Sequence, residues 1–217
     1  MIVITGASDG LGQELALLYK NRGERVISLS RGRPAEDIDH IKVDLTLPSE
    51  IEHAAKSILE IDEPIQALIN CAGVMSVTPI GALTSSELER VFKTNVLSAM
   101  QLTSLLIERI KKDHGDIVNV ASTVGTKSYP DQAAYGASKW AMRGFSANLQ
   151  LELKSSASRV ISFCPGGFVS EIFKKATGKE IQNSTEWMDP TDVAGFMMAI
   201  LDLPKNMEVS EVIINRK

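Results

Sequence analysis

Short apolar runs alternate along this chain with longer segments whose apolar residues recur every three or four positions. A short run bounded by polar turns is typical of a buried strand, and the longer spacing is typical of a helix with one packed face. Strands are predicted at Ile2–Thr5, Val26–Ser30, Ile41–Val43 (a brief apolar turn), Gln66–Cys71, Asp116–Ala121, Arg159–Cys164 and Val209–Ile214. Helices are predicted at 11–18, Pro48–Ile61, Ser86–Lys112, Ala133–Lys154 and Thr191–Leu203.

This alternation predicts the α/β class, as a doubly wound Rossmann fold whose seven-stranded, mostly parallel sheet has helices on both faces. A chain of 217 residues suits one such domain. We find no linker, repeat or low-complexity segment in the sequence. We therefore expect a single domain that spans residues 1–217.

Composition and charge narrow the class of protein. The net charge of −4 argues against nucleic acid as a partner. No apolar run approaches the ~18–20 residues that span a bilayer, so no membrane partner is expected. The first strand begins at Ile2, which leaves no room for a targeting peptide, and a cytoplasmic location is expected. The three histidines and two cysteines lack metal-ligand spacing, so no metal is expected.

Three residues between Ala121 and Lys139 carry candidate chemistry. Ser122 directly follows a predicted strand, and Tyr135 and Lys139 lie four residues apart at the start of a predicted helix. Residues at that spacing share one helix face, and a nearby ammonium would lower the pKa of a phenol. Such a tyrosine can exchange protons near neutral pH. Since this spacing also occurs by chance, an ordinary pair on a helix surface is the alternative.

The first strand runs into a glycine-rich turn, Thr5–Gly12, and then into a helix. Glycines at this place allow a tight turn and the close approach of a pyrophosphate to backbone N–H groups. The alternative is a β–α turn without a ligand. Ligands of open parallel sheets bind beyond the carboxyl ends of the strands. Six residues lie just past predicted strands, namely Gly6, Arg31, Asp44, Asn70, Ser122 and Pro165.

A polar residue interrupts the apolar stripe of the longest predicted helix. The stripe consists of Leu88, Phe92, Asn95, Ala99, Leu102, Leu106 and Ile110. Because a buried amide needs hydrogen-bond partners, Asn95 is either a structural tie to a neighbouring loop or part of the site.

Together these motifs resemble the short-chain dehydrogenase/reductase family over essentially the whole chain. The family's T-G-x-x-x-G-x-G matches Thr5–Gly12, its N-A-G turn is similar to Asn70–Gly73, and its Y-x-x-x-K matches Tyr135–Lys139. The resemblance implies catalytic roles for Asn95, Ser122, Tyr135 and Lys139. It implies that the cofactor contacts Gly6, Ser8, Gly10, Leu11, Gly12, Ser30, Arg31, Asp44, Leu45, Asn70, Ala72, Gly73, Tyr135, Lys139, Pro165, Gly166, Val169 and Ser170.

The implied function is NAD(P)-dependent interconversion of a carbonyl and an alcohol on a small molecule, with NADPH-driven reduction favoured. In that reaction Tyr135 donates the proton, Ser122 binds the substrate oxygen, Lys139 holds the nicotinamide ribose and Asn95 holds a water of a proton relay. A non-catalytic NADP-sensing or scaffold protein of the same fold is the alternative. An epimerase or dehydratase is a third reading, but those relatives usually carry a longer substrate domain.

NADP(H) is favoured over NAD(H) because Ser30 and Arg31 end the second strand, where an acidic residue would repel a 2′-phosphate. Asp9 argues the other way, since NADP-using relatives often have a basic residue there. The family's substrate lid corresponds to residues 171–189. Its Phe173, Trp187 and Met188 line a pocket or belong to the local core.

The sequence departs from the family between its second and third strands. Only Gly32–His40 connects them, which is too short for a full crossover helix. The family strand order also places a strand between those that end at Cys71 and Cys164, so no disulfide is expected. Family members commonly pair through their two long helices. We expect a homodimer or homotetramer, with Val91, Met100 and Leu105 as a second apolar surface on the longer helix.

Overall fold

The computed structural model describes residues 1–34, 37–181 and 186–217. Seven strands form one sheet in the order β3-β2-β1-β4-β5-β6-β7, and every pairing is parallel. The predicted Rossmann fold is therefore confirmed. The strands are β1 Ile2–Thr5, β2 Val26–Ser30, β3 Asp39–Lys42, β4 Ala67–Asn70, β5 Asp116–Val120, β6 Val160–Pro165 and β7 Glu211–Ile214.

Helices cover both faces of this sheet because the side chains of each strand alternate between the two faces. In β1, Val3 packs into the apolar cluster that α2, α4 and α5 cover, whereas Ile2 and Ile4 pack into the cluster under α1 and α7. The helices are α1 Gly10–Asn21, α2 Pro48–Leu59, α3 Ser85–Phe92, α4 Ser98–Asp113, α5 Ala133–Glu152, α6 Glu171–Thr177 and α7 Pro190–Leu201.

The connection between β2 and β3 is short, as predicted. Its described residues, 31–34 and 37–38, contain no helix. The third strand begins at Asp39, two residues before the predicted apolar turn, and it pairs with β2 from Ile27 opposite Asp39 to Ser30 opposite Lys42. Because β3 is an edge strand with exposed and half-buried side chains, its apolar run is too short to reveal its full length.

The long helix predicted at Ser86–Lys112 is divided by a π-helical turn, Lys93–Leu97, between α3 and α4. A π-helical turn inserts an extra residue into the helix and rotates the faces on either side of it. The predicted apolar stripe is therefore wrong at its first residue, Leu88, which is exposed, whereas Val91 is fully buried. The prediction that Val91 belongs to a second apolar surface is wrong for this reason. Met100 and Leu105 are exposed, as predicted.

The two cysteines are free, as predicted, because β5 lies between the strands that they follow or end. Within the described residues no helix is long and apolar enough to cross a membrane. No group of three or more histidine, cysteine or acidic side chains in the described part of the chain is placed to hold a metal ion.

A buried ion pair holds together the amino-terminal ends of β5 and β6. The Asp116 carboxylate accepts hydrogen bonds from Arg159 Nη2 at 2.7 Å and from Lys205 Nζ at 2.7 Å. The Arg159 guanidinium also donates to the carbonyl oxygens of Leu201 and Leu203. The pair thus joins β5 and β6 to the segment that follows α7. The side chains of Asp116 and Arg159 are both buried.

We predict that Arg159→Leu lowers the free energy of unfolding by about 3 kcal/mol, because it leaves the Asp116 carboxylate and two carbonyls short of partners inside the protein. The exposed pair Arg22–Asp202, 2.8 Å apart, provides the control. Arg22→Leu should cost less than about 1 kcal/mol. Urea unfolding measures both values, and equal losses in the two variants would contradict this account of the ion pair.

Candidate active site

A cavity of about 730 Å³ lies beyond the carboxyl ends of the strands. The glycine-rich turn after β1 lines one part of it, and residues that follow β4, β5 and β6 line the rest. Sixteen of the eighteen predicted cofactor residues line this cavity. They are Gly6, Ser8, Gly10, Leu11, Gly12, Ser30, Arg31, Asp44, Leu45, Ala72, Gly73, Tyr135, Lys139, Pro165, Gly166 and Ser170.

The other two predicted cofactor residues, Asn70 and Val169, do not line the cavity. The Asn70 side chain lies under the sheet, where Nδ2 donates to Asn119 Oδ1 at 2.8 Å and to Thr103 Oγ1 at 3.1 Å. It is the last residue of β4, and the alternation of the strand directs it into the core. Val169 is held by its backbone, whose N–H donates to the Met188 carbonyl, and its side chain is exposed.

The glycine-rich turn brings backbone close to backbone. Gly6 has φ +76°, and a Cβ there would lie 2.8 Å from the Cα of Ala72. A Cβ on Gly12 would lie 2.5 Å from the Gly6 carbonyl oxygen. The Thr5 hydroxyl accepts the N–H groups of Cys71 and Ala72, both at 3.0 Å, and joins the turn to the segment after β4. Side chains at these positions would push the turn out of place.

Helix α1 begins inside the cavity wall, and this end fits a dinucleotide. Asp9 is the N-cap residue, but its side chain makes no capping hydrogen bond. The first N–H groups of the helix are therefore available to a ligand, and helix N-termini favour anions such as a pyrophosphate. The open N-terminus, the close glycine packing and the size of the cavity together match a nicotinamide dinucleotide.

The predicted 2′-phosphate site differs from expectation in one residue. The Ser30 hydroxyl donates to the Gly32 carbonyl at 2.7 Å and so is not a free donor. Arg31 lines the cavity, and Ser8 lies beside Gly32. Asp44 accepts from Thr46 N at 2.9 Å and Thr46 Oγ1 at 2.7 Å. These hydrogen bonds, helped by the charge of Arg31, hold the pKa of Asp44 below its usual value.

Ser122, Tyr135 and Lys139 meet in the floor of the cavity, and all three are buried. Lys139 Nζ donates to the carbonyl oxygen of Val120, the last residue of β5, at 2.8 Å. It lies 5.7 Å from the centroid of the Tyr135 ring. The Ser122 hydroxyl accepts Val124 N–H at 3.2 Å and lies 3.4 Å from the Pro165 carbonyl oxygen. A phenol, a hydroxyl and an amine therefore converge at the end of one strand.

Burial is the main cause of the pKa shifts of Tyr135 and Lys139. It raises the pKa of Tyr135 to about 12, and a hydrogen bond with Ser122 offsets part of that rise. Burial also lowers the pKa of Lys139 to about 8. The sequence predicted that the ammonium would lower the pKa of the phenol, and the structure contradicts this. Desolvation disfavours both charged forms and is the larger effect here.

Asn95 lies behind the site and is fully engaged. Its Oδ1 accepts Val74 N–H at 2.7 Å, and its Nδ2 donates to the Val74 carbonyl at 2.9 Å and to Ser138 Oγ at 3.0 Å. These bonds join the π-helical turn to the segment after β4 and to α5, next to Lys139. Of the two roles that the sequence allowed for Asn95, the structure contains the structural link to a neighbouring loop. The role of Asn95 in a water relay stays a prediction.

The predicted lid contains α6 and lies against the glycine-rich turn. Lys175 Nζ contacts Asp9 Oδ2 at 2.5 Å. Phe173 and Trp187 line the cavity, with ring centroids 5.9 Å apart. Met188 instead packs against the core cluster under α1 and α7. The part of the predicted lid at 182–185 lies outside the described residues.

The cavity residues that sequence reasoning missed include Tyr129, Gln132 and Arg216. Tyr129 and Gln132 lie on the segment that joins Ser122 to α5, and any such segment must pass the cavity. Arg216 follows β7 by two residues, so the rule that ligands bind past strand ends could have found it. The Gln132 Oε1 atom is buried and has no hydrogen-bond partner in the described structure.

The sequence model of the short chain dehydrogenase family matches residues 1–181. This chain belongs to that family. An uncharacterized oxidoreductase of Listeria monocytogenes is 26% identical over 97% of this chain and 94% of its own length. The uncharacterized oxidoreductase YbbO of Escherichia coli is 29% identical over 97% of this chain and 81% of its own. Carbonyl reductase family member 4 of Danio rerio is 27% identical over 94% of this chain and 92% of its own length.

Solved structures agree with the fold of this short-chain dehydrogenase. The closed form of serine dehydrogenase complexed with NADP⁺ superposes with a TM-score of 0.88 at 23% identity and covers 99% of this chain and 94% of its own. A short-chain dehydrogenase/reductase from Vibrio parahaemolyticus superposes with a TM-score of 0.85 at 25% identity, and the match covers 100% of both chains. The protein is an NAD(P)-dependent oxidoreductase.

We predict that cofactor binding weakens as the pH rises through about 8, because the Lys139 ammonium is present below its lowered pKa and is lost above it. Fluorescence titration with NADPH between about pH 7 and about pH 9 measures this, since an unperturbed lysine, with a pKa of about 10.4, would stay charged throughout. Lys139→Met should bind more weakly and with little pH dependence. Wild-type affinity that stays constant over this range would contradict the assigned pKa.

Proposed function

We propose that this enzyme interconverts a carbonyl and an alcohol on a small molecule, with reduction by the bound dinucleotide as the favoured direction. The supporting observation is the position of the Tyr135 phenol. It is buried with Ser122 in the cavity floor, at the strand end where the family places its reaction. A phenol is protonated at neutral pH, burial raises the pKa of this one further, and a protonated phenol is a proton donor.

In the proposed reaction a bound reduced dinucleotide would provide the hydride that the carbonyl carbon accepts. The Tyr135 hydroxyl gives its proton to the carbonyl oxygen, which becomes the alcohol. Ser122 donates a hydrogen bond to that oxygen while its negative charge develops. Lys139 is held by the Val120 carbonyl beside the phenol, where it can hold the ribose and stabilise the tyrosinate that forms.

We also propose that residues 171–189 form a substrate lid on a single domain, 1–217. The contact of Lys175 with Asp9 supports this, because it joins α6 to the turn that would hold the pyrophosphate. Phe173 and Trp187 then close the apolar side of the cavity. Such closure would exclude water from the reacting atoms.

A preference for NADP(H) over NAD(H) completes the proposal. Arg31 lines the cavity, Ser8 lies beside the following residue, Gly32, and no acidic residue ends β2. Asp9, which argued against NADP(H), is paired with Lys175, so its charge is largely compensated. An arginine fork matches the oxygens of a 2′-phosphate.

The experiment that tests this function is a screen of carbonyl compounds and alcohols with NADPH and NADH, followed by absorbance of the reduced nicotinamide. Turnover on a carbonyl compound supports the proposal. If NADPH binds tightly but no compound in a broad screen is consumed, the protein is a cofactor sensor or scaffold.

We predict that Arg31→Ala lowers kcat/KM for NADPH about 10- to 100-fold, the range for one charge-assisted contact. The value for NADH should change less than about 3-fold, because NADH has no phosphate for the guanidinium to bind. Arg33→Ala is the matched control on the same connection. A wild-type protein that uses NADH as well as or better than NADPH would refute the preference.

We propose a homodimer or homotetramer that pairs through the exposed apolar residues of the π-helical turn, α4 and α5, namely Leu97, Met100, Leu105 and Trp140. Exposed apolar patches on a folded chain mark interaction surfaces.

We predict a mass of at least twice 23.6 kDa by light scattering at micromolar concentration. The double variant Leu97→Glu, Met100→Glu should be monomeric, because it buries charge in the interface. Phe196→Glu on α7 is the control on another face. A monomeric wild-type protein would contradict the proposal.

A further inference from the structure

Among the described cations that line the cavity, Arg216 lies beside the floor that holds Ser122. Arg216 follows β7, whose last residue, Ile214, pairs with Pro165 at the end of β6. The Gly166 N–H donates to the Ile214 carbonyl at 2.7 Å, and a Cβ on Gly166 would lie 3.4 Å from Arg216 N. The Pro165 carbonyl is in turn 3.4 Å from Ser122 Oγ. Arg216 thus lies two strands along the sheet from Ser122, about 9–10 Å by strand spacing.

The guanidinium of Arg216 is oriented by an aromatic ring. Its central carbon lies 4.9 Å from the centroid of Trp187, which packs against Phe173. Stacking fixes the plane of a guanidinium and leaves its N–H donors at the edge. Among the described residues, Arg216 has no hydrogen bond and no ion pair, although it lines the cavity. Its donors are therefore available to a ligand.

The other cations that line the cavity in the described structure are paired or lie away from this end. Lys175 is paired with Asp9 at the glycine-rich turn, and Lys139 donates to the Val120 carbonyl. Arg31 lies near Asp44 at the far, adenosine side. The aromatic end of the cavity therefore carries one uncompensated positive charge among the described residues, that of Arg216.

A second polar side chain of the cavity wall lacks one hydrogen-bond partner. Gln132 lines the cavity and precedes α5, three positions before Tyr135, and its Oε1 atom is buried. Buried polar atoms in proteins are almost always hydrogen-bonded. Because protein atoms cover Oε1, a ligand would reach it only if the side chain turned towards the cavity, so Arg216 remains the group that can contact a ligand directly.

We propose that the substrate is an oxo acid, whose carboxylate is bound by Arg216 while its carbonyl lies at Tyr135 and Ser122. The planar fork of arginine matches a carboxylate with two parallel hydrogen bonds. One uncompensated charge suits a carboxylate monoanion better than a phosphate dianion. Arg216 is on this account a specificity residue. This inference rests on the proposed carbonyl reduction for the role of the carboxylate, but carboxylate binding can be measured without turnover.

The kinetic test compares short oxo acids, with one to three carbons between the two groups, with their uncharged amides. The wild-type enzyme should favour the acid over its amide by about 10-fold or more in kcat/KM. Arg216→Gln should lower kcat/KM for the acid about 10- to 100-fold and leave the amide within about 3-fold. Arg216→Lys should restore part of the loss, since it keeps the charge without the fork. Arg22→Gln, a surface variant, is the matched control.

The binding test uses the fluorescence of Trp187 in a Trp140→Phe background with the oxidised dinucleotide bound. The same oxo acids should change this fluorescence at lower concentration than their amides, and Arg216→Gln should abolish the difference. Turnover with equal use of acids and amides, unchanged by Arg216→Gln, would overturn the inference and leave the proposed function intact. If no carbonyl compound is consumed, the proposed function fails. The fluorescence titration then decides alone whether the cavity binds carboxylates.

Discussion

The site depends on a buried amine held at the end of a buried strand. Lys139 lies on α5, and its hydrogen bond to the Val120 carbonyl binds that helix to the carboxyl end of β5. Close packing makes this possible. A Cβ on Gly125 would lie 2.8 Å from the Lys139 carbonyl oxygen, and one on Gly73 would lie 3.6 Å from Lys139 Nζ. Small residues around the lysine thus let strand, turn and helix meet.

The π-helical turn between α3 and α4 supports the same place from behind. A regular helix would continue the apolar stripe, but the extra residue turns Val91 inward and places the Asn95 amide against Val74 and Ser138. Insertions of this kind are frequent at functional sites. Here the insertion joins the segment after β4, which lines the cavity, to the residue before Lys139. Asn95 therefore ties the π-helical turn to Val74 and to Ser138.

The sequence predicted the parts of this molecule that depend on local patterns. Parallel strands leave short apolar runs, and Ser122 and the glycine-rich turn follow directly after such runs. Tyr135 could be found by its four-residue spacing from Lys139 on a predicted helix. Where several interactions compete for one group, the sequence could not predict which of them forms. Ser30 looks like a free donor until its bond to the Gly32 carbonyl is known. The pKa of Tyr135 depends on burial that no spacing reveals, and the π-helical turn has no clear signature in the stripe.

The central claim is that the buried Tyr135 phenol is the proton donor, and Tyr135→Phe tests it most directly. The change removes one oxygen and leaves the ring, so kcat for carbonyl reduction should fall by at least about 10²-fold while NADPH affinity stays within a few-fold. Tyr19→Phe makes the same change in the core cluster under α1 and α7, away from the cavity, and should keep its turnover. Near-full turnover by Tyr135→Phe on an accepted substrate would show that another group supplies the proton.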